Sequence, residues 1–284
     1  IADRLAGTQH SKVGQWATRE TSTMLPNTKA QLVMAGGRYT GPINRKVQHR
    51  MYESRSRTYS INKLRLHGKE HLVDWEALGA LHRRLPLRSR ATRLKFFYRW
   101  APTNARQHLV GTSDTKMCPL CSTETETQDH VFRCGSAGAV TARESALWNF
   151  EDELVRAKTH PDITTLMVMA VKGEYDKLRY VGLSEVDDVV EAACQQGRIG
   201  WHLVLYGVLS NEWATVQGNW DRQANNNGAG TTNKSWTKVV QNALWNYVRE
   251  VWEHRNKKVH GETDEEICRV RTERLRRECV SLAS

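Results

Sequence analysis

Hydrophobic positions recur at helical spacing through the second half of the chain, and they predict its longest elements. One stripe consists of Trp236, Val239, Val240, Ala243, Leu244, Tyr247, Val248, Val251 and Trp252. Steps of three and one residues place these side chains on one face, which predicts a helix with a buried side and a solvated side. A similar rhythm over residues 198–217 predicts a second continuous buried helix, through Trp201, Val204, Leu205, Val208, Leu209, Trp213 and Val216.

Shorter amphipathic stretches predict further helices. They cover residues 72–84, 88–100, 104–110, 140–158, 163–171, 184–196 and 263–284. Pro86, Gly111 and Pro161 separate consecutive helices, because proline and glycine interrupt or end helical structure. Residues 11–60 are rich in Thr, Ser, Gly and Gln without a helical period and are interpreted as a linker, and residues 223–233 as a flexible loop.

The basic charge of the chain is concentrated in one block. Over 284 residues the net charge is +11, with 42 Lys and Arg against 31 Asp and Glu. Residues 41–106 hold 16 of the basic residues and only four acidic ones. Such a block attracts polyanions, so RNA or DNA is the predicted partner. An acidic protein, a membrane surface, or a solvated surface without a ligand are the alternatives.

The helix predicted at residues 88–100 combines an apolar stripe with a cationic face. Leu94, Phe97, Tyr98 and Ala101 form the predicted stripe. The aromatic side chains hold the helix against the core, while the cations face a phosphate backbone, to which arginine can donate two hydrogen bonds. The predicted nucleic-acid-binding residues are Arg83, Arg84, Arg88, Arg90, Arg93, Lys95 and Arg99. The arginine-rich stretch within residues 263–284 is a lesser candidate.

Four side chains with metal-ligand chemistry lie within seventeen residues. Cys118, Cys121, His130 and Cys134 follow the spacing C-x2-C-x8-H-x3-C. Three thiolates and one imidazole are the donor set of a closed, tetrahedral structural zinc site. Because protein ligands fill all four positions, no position remains for an activated water, and the zinc is expected to hold structure and not to catalyse. A chance grouping of reduced cysteines and a histidine is the alternative.

The polar residues between the ligand pairs are interpreted as an exposed loop. Glu124 and Glu126 are accordingly expected to be solvated, and not to act as a catalytic base pair. The remaining cysteines are scattered, which favours a reducing compartment in the cytoplasm, the nucleus or both. No run of eighteen apolar residues and no signal-peptide pattern occurs, so no membrane partner is expected.

Together these patterns predict a mainly α protein, a helical bundle with a small CCHC zinc knuckle inserted between helices. Residues 61–160 are expected to hold the basic helices and the knuckle, and residues 161–284 a C-terminal helical domain. The chain begins at Ile1 without a methionine, so it is expected to be a fragment or a processed product.

Several motifs resemble the C-terminal part of non-LTR, LINE-like retrotransposon polyproteins. They are R-L-K-F-F-Y-R-W-A-P-T-N-A-R at 93–106, C-P-L-C at 118–121, E-T-Q-D-H-V-F-R-C at 126–134 and W-E-H-R-N-K-K-V-H-G at 252–261. The resemblance implies the zinc-binding domain that follows reverse transcriptase and ribonuclease H, with Cys118, Cys121, His130 and Cys134 as zinc ligands. It also implies that the rest of a parent polyprotein, an RNA-directed DNA polymerase, is a partner.

The first residues, I-A-D-R-L-A-G, are similar to the last helix of ribonuclease H domains. This similarity implies that residues 1–10 are the tail of such a domain and that Asp3 is its metal-binding aspartate. Asp3 is isolated, because ribonuclease H chemistry needs several acids on separate elements. No polymerase carboxylate cluster or glycine-rich phosphate loop appears either, so no catalytic role is predicted for this chain.

Three function hypotheses follow. The first is a zinc-stabilised nucleic-acid-binding module of a retroelement reverse transcriptase that grips template RNA or target DNA by the backbone. The second is a structural or protein-interaction helical domain that docks on the polymerase core. The third, a nuclease or deaminase, requires an open metal position, which four protein ligands do not leave.

Overall fold

The computed structural model describes residues 32–34, 37–39, 55–176, 178, 187–224 and 233–283. The chain divides into two units, Ile1–Arg57 and Thr58–Ser284. In the first unit, strands β1 (Leu32–Met34) and β2 (Gly37–Tyr39) form an antiparallel hairpin in which Val33 lies opposite Arg38. The described part of the second unit is mainly helical, which confirms the predicted fold class at that level.

The helices run in chain order as follows: α1 (residues 55–64), α2 (Trp75–Arg84), α3 (Leu87–Phe97), α4 (Asn104–Leu109), α5 (Gln128–Val131), α6 (Ala137–Arg156), α7 (Pro161–Lys172), α8 (Asp187–Ile199), α9 (Glu212–Ala224), α10 (Asn233–His260) and α11 (Asp264–Ala283). Short 3-10 helices cover Glu70–Leu72 and Trp201–Tyr206. Among the described residues, no helix has the length and apolarity needed to cross a membrane.

Helix α10 is the element against which most of the second unit packs. Its predicted apolar stripe is buried at Trp236, Val240, Leu244, Tyr247 and Val251. It packs most extensively on α6, and also contacts α2, α5, α9 and α11. Two amide hydrogen bonds flank the apolar contact with α6, from Asn149 to Glu250 and from Asn246 to Glu153, both 2.9 Å long. Through these contacts α10 helps to position α5, which carries His130, and α6, which begins shortly after Cys134.

The prediction of one continuous helix over residues 198–217 is wrong, although most of its predicted stripe is buried. The 3-10 helix ends at Gly207, whose φ of 78° is left-handed, and α9 begins only at Glu212. Between them the backbone pairs with the chain before α2: the Asp74 N–H donates to the Leu209 carbonyl at 3.0 Å, and the Asn211 N–H to the Leu72 carbonyl at 2.9 Å. These long-range bonds replace the helical ones.

The stripe predicted for the basic helix is partly wrong. Phe97 is buried as expected, but Leu94 is exposed, and the residues that face the core with Phe97 are Phe96 and Arg93. Phe96 lies edge-on to Phe132, Trp245 and Trp252, at centroid distances of 6.1, 6.2 and 5.1 Å. Because three aromatic residues follow one another, the sequence allows more than one face of α3 to be buried. The contacts of Phe96 with α10 bury the face that contains Phe96.

The predicted division between residues 160 and 161 does not separate two units, since α6, α7 and α10 share one core. The predicted linker at 11–60 contains the β1–β2 hairpin, and its last residues already belong to α1. Residues 1–10, including Asp3, lie outside the described residues, as does most of the loop predicted at 223–233.

Candidate metal centre and basic surface

The four predicted ligands come together in one cluster. The ligand atoms of Cys118, Cys121, His130 and Cys134 all lie within 4.8 Å of one another. Cys118 Sγ lies 3.8 Å from Cys134 Sγ, and Cys121 Sγ lies 3.5 Å from His130 Nε2. Tetrahedral zinc with ordinary bond lengths requires about 3.8 Å between two sulfurs and about 3.5 Å between sulfur and nitrogen. These two distances match such a site, and the four side chains form a group that could hold a metal ion.

A tight turn positions the first two cysteines. The Cys118 N–H donates to the Glu124 carbonyl at 2.7 Å, and the Ser122 N–H donates to the Cys118 carbonyl at 2.8 Å. Ser122 has a left-handed φ of 58°, which reverses the chain directly after Cys121. A bridge between Met117 and Thr125 closes the base of the turn. Both thiols consequently face the same point.

Helix α5 positions the histidine. The Thr127 side chain caps this helix by accepting from the His130 N–H at 3.1 Å. His130 Nε2 faces the thiols, while Nδ1 lies 3.3 Å from the Glu124 carboxylate. A carboxylate that accepts from the other ring nitrogen orients a metal-binding imidazole and fixes its tautomer. Glu124 is exposed, as predicted, and its carboxylate is placed to support His130 as a candidate ligand.

Burial and hydrogen bonding give the thiols of Cys118 and Cys121 very different pKa values. Burial raises the pKa of Cys118 to about 12. A hydrogen bond with the Thr123 side chain is the main cause that lowers the pKa of Cys121 to about 6. A metal ion binds thiolates, so its binding at neutral pH displaces a proton from Cys118.

Behind the cluster, a buried ion pair connects the segment that carries the candidate ligands, residues 118–134 (called the metal-binding loop below), to α10. Arg255 Nε and Nη2 donate to the two carboxylate oxygens of Glu126, both at 2.7 Å. The side chains are 2% and 0% exposed, respectively. Arg255 also donates to Asn104 Oδ1 at 3.2 Å, and Asn104 Nδ2 donates to the Met117 carbonyl at 2.9 Å. The prediction that Glu126 is a solvated loop residue is wrong.

Two further polar residues of the same segment, Gln128 and Asp129, hold the end of α3. Gln128 accepts from the Ala101 N–H at 3.2 Å and donates to the Phe96 carbonyl at 2.9 Å. Asp129 accepts from the Arg99 guanidinium and, at 3.0 Å, from the Tyr206 hydroxyl. The loop between the ligand pairs is thus buried at Glu126 and Gln128, whereas Ser122, Thr123 and Glu124 are exposed as predicted.

The seven predicted nucleic-acid-binding cations have different surroundings. Arg93 is buried and donates to the Leu78 carbonyl at 3.2 Å and to Gln241 Oε1 at 3.0 Å. Burial lowers its pKa to about 10, so it stays cationic at neutral pH inside the protein. Its assignment to the nucleic-acid surface is wrong, because its guanidinium cannot reach a phosphate backbone outside.

Two more of the seven have intramolecular partners. Arg90 donates to the carbonyls of Leu85 and Arg83, at 2.7 and 3.0 Å, and so caps the C-terminal end of α2. Arg99 is exposed but pairs with Asp129. The other four cations, on α2 and α3, are exposed and have no ion pair within the described residues: Arg83, Arg84, Arg88 and Lys95. Arg88 and Lys95 are seven residues apart and share a face of α3.

Arg255 is the structural residue of the site that the sequence interpretation missed. It follows Val251 by four residues and Trp252 by three, which places it on the buried stripe of α10. A charged residue at such a position requires a buried partner of opposite charge. The position of Arg255 on the apolar stripe can be recognised in the sequence. Its partner, Glu126, cannot, because it lies 129 residues away in the chain.

Comparison with protein-family profiles, curated proteins and solved structures found no match to this chain.

Proposed function

We propose that this chain is a nucleic-acid-binding module stabilised by one zinc ion, and that it forms the C-terminal part of a non-LTR retroelement reverse transcriptase. The observation that carries the binding proposal is the group of four exposed cations, Arg83, Arg84, Arg88 and Lys95, without ion pairs in the described residues. They project from consecutive helices whose opposite sides are anchored by Leu81, Phe96 and Phe97. Such a surface attracts a polyanion without a large conformational change.

The contact is with the phosphate backbone. Arginine and lysine side chains bind phosphate oxygens independently of sequence, and they release counterions in doing so. Both template RNA and target DNA present this backbone. The module is therefore expected to position a strand for the parent polymerase and to contribute little base specificity.

Zinc is the proposed ion because three thiolates and one imidazole select it over magnesium or calcium, which prefer oxygen ligands. Its role is structural, since all four positions are filled by protein. The ion joins the turn after Met117 to helix α5, and the Glu126–Arg255 pair then connects this loop to α10. The loop in turn holds the end of α3 through Gln128. Zinc thus stabilises the helix that carries Arg88 and Lys95.

The test is charge reversal on the proposed surface with a matched control. In the Arg83→Glu/Arg84→Glu/Arg88→Glu variant, fluorescence anisotropy with single- and double-stranded oligonucleotides is expected to give a loss of affinity of at least about a hundredfold. The control reverses three exposed arginines elsewhere, Arg156, Arg198 and Arg249, with the same change in net charge. Equal losses in both variants, or none, would contradict the proposal.

A second function, docking on the parent polymerase, is favoured by one observation. Helix α11 exposes Ile267, Leu275 and Val280, with 43%, 50% and 70% of their surface accessible. Exposed apolar side chains of this size on one helix are found at protein interfaces. The two functions are compatible, because α11 and the α2–α3 surface are different parts of the chain.

A further inference from the structure

A cleft of about 220 Å³ opens beside the metal-binding loop, apart from the four cations of α2 and α3. Its polar lining consists of Arg99, Asp129, Arg133, Lys172, His202 and Tyr206. Arg133 and Asp129 are the direct sequence neighbours of the ligands Cys134 and His130. The cleft is therefore built partly by the metal-binding loop and partly by the C-terminal end of α7.

The charges in the cleft are not balanced. Asp129 is the single acidic residue of the lining, and it is already bonded to Arg99 and to the Tyr206 hydroxyl. Arg133 and Lys172 are exposed and form no ion pair within the part of the chain that the structure describes. Two positive charges consequently face the same concave surface, and no carboxylate among the described residues neutralises them.

Backbone conformation and packing restrict two of the cations, Arg99 and Arg133. Arg99 has a left-handed φ of 58°, a conformation that is unfavourable for a residue other than glycine and that turns its side chain at the end of α3. The Arg133 guanidinium lies 5.9 Å from the centroid of the Tyr175 ring. Its Nε and Nη2 also lie 3.7 Å from where a side chain would begin at Gly173, whose φ is 78°. A cation fixed in this way loses little entropy when it binds a ligand.

We infer that this cleft binds a phosphate group. Two unneutralised cations, one a guanidinium that can donate two hydrogen bonds, match the charge and the several acceptor oxygens of a phosphate. The source of this phosphate rests on the proposed function, in which the ligand is a nucleic acid. The phosphate is then either a phosphodiester of the backbone or the terminal phosphate of a strand. Arg99 lies two residues after the end of α3, the helix that carries Arg88 and Lys95. The cleft is therefore close to the C-terminal end of that helix.

The first experiment uses inorganic phosphate and the full zinc-loaded chain. The imidazole resonances of His202 are followed by NMR during titration at constant ionic strength, with acetate as the carboxylate probe. Phosphate is expected to give a saturable shift that acetate does not give, and Arg133→Gln/Lys172→Gln is expected to weaken it about tenfold or more. The control Arg198→Gln/Lys69→Gln, which removes one arginine and one lysine outside the cleft, leaves the shift unchanged.

Three results would overturn the inference: no saturable shift, an equal shift with acetate, or an unchanged shift in the cleft variant. An equal response to acetate would identify the cleft as a site for acidic peptides. Unchanged zinc content and thermal unfolding of the cleft variant establish that it is folded. If that variant does not fold, Lys172→Gln alone is measured, and a phosphate affinity equal to that of wild type contradicts the inference.

The second experiment identifies the source of the phosphate with a short single-stranded oligonucleotide, with and without a 5′-phosphate. A gain in affinity from the 5′-phosphate that disappears in Arg133→Gln/Lys172→Gln supports a terminal phosphate. An equal loss for both oligonucleotides supports a backbone phosphate. The charge-reversed variant at Arg83, Arg84 and Arg88 is expected to lose oligonucleotide binding but to keep the His202 shift with inorganic phosphate. The proposed function and the phosphate site are therefore tested by different measurements.

Discussion

Arg255 and Glu126 form a bidentate ion pair with both N–O distances at 2.7 Å, although the two residues are 129 positions apart and their side chains are almost completely buried. The Arg255 guanidinium also lies 4.8 Å from the centroid of the Trp252 ring, one turn earlier on α10. This pair joins the metal-binding loop to the longest helix. It makes the candidate metal centre part of the core.

Removal of one member of this pair leaves the other charged and buried without a partner. Arg255→Met is therefore expected to lower the free energy of unfolding by about 3–5 kcal/mol, measured by urea denaturation of the zinc-loaded chain. Arg249→Met on the same helix removes an exposed arginine whose partner, Glu253, is 3.7 Å away, and it should cost well under about 1 kcal/mol. Equal effects of the two variants would show that the buried pair is not needed for stability.

Zinc binding is expected at one ion per chain. At a free zinc concentration about a hundredfold above the dissociation constant, the free energy of unfolding should rise by about 2.7 kcal/mol. Cys121→Ala should abolish this gain, whereas Cys194→Ala, at an exposed cysteine outside the cluster, should retain it. Metal analysis and thermal unfolding with and without a chelator measure the effect. Retained one-to-one zinc binding in Cys121→Ala would argue against the assigned ligands.

Glu124 is predicted to tune the metal site without being a ligand. Its carboxylate lies 3.3 Å from His130 Nδ1, and loss of such support typically weakens metal binding about tenfold or more. Competition with a chromophoric chelator should therefore give a weaker zinc affinity for Glu124→Gln than for the control Glu144→Gln, an exposed position on α6. An affinity for Glu124→Gln equal to that of wild type would contradict the proposed support of His130.

Gly207 is predicted to be required both for its backbone conformation and for the space around it. Its φ is 78°, and a side chain there would begin 2.5 Å from Gln241 Oε1 and 3.3 Å from Arg93 Nη2. Gly111 has a similar φ of 75° but no atom within 4 Å of that position. Gly111→Ala should cost about 1–2 kcal/mol from backbone strain, and Gly207→Ala about 1–3 kcal/mol more from overpacking. If urea denaturation gives the same loss of unfolding free energy for both variants, the Gln241 and Arg93 side chains move aside without a measurable cost.

The parts of this architecture that depend on local spacing were accessible from the sequence. The candidate ligands Cys118, Cys121, His130 and Cys134 lie within one short segment, so their residue types and spacing indicate one site. The buried stripe of α10 follows from its helical period in the same way. The helix break near Gly207 was missed, because it depends on hydrogen bonds to Leu72 and Asp74, more than a hundred residues earlier.

Arg93, which was assigned to the wrong surface, and Arg255, which was missed, have a common physical explanation. Arg93 precedes Phe96 by three residues and Phe97 by four, and Arg255 stands in a similar relation to Val251 and Trp252. A polar residue on an apolar helical face is better interpreted as a buried group with a partner than as part of a solvated surface. The partners, Gln241 and Glu126, are distant in the chain, so only the tertiary structure identifies them.

The most direct test of the central claim is the salt dependence of nucleic-acid binding by the zinc-loaded chain and by Arg88→Gln/Lys95→Gln. Each phosphate contact contributes about 0.7 to the slope of log affinity against log salt for single strands and about 0.9 for duplexes. We expect a steep slope for wild type and a decrease of about 1.4–1.8 in the double variant, without a change in thermal stability. A flat slope for wild type, or an identical slope in the folded variant, would contradict the claim.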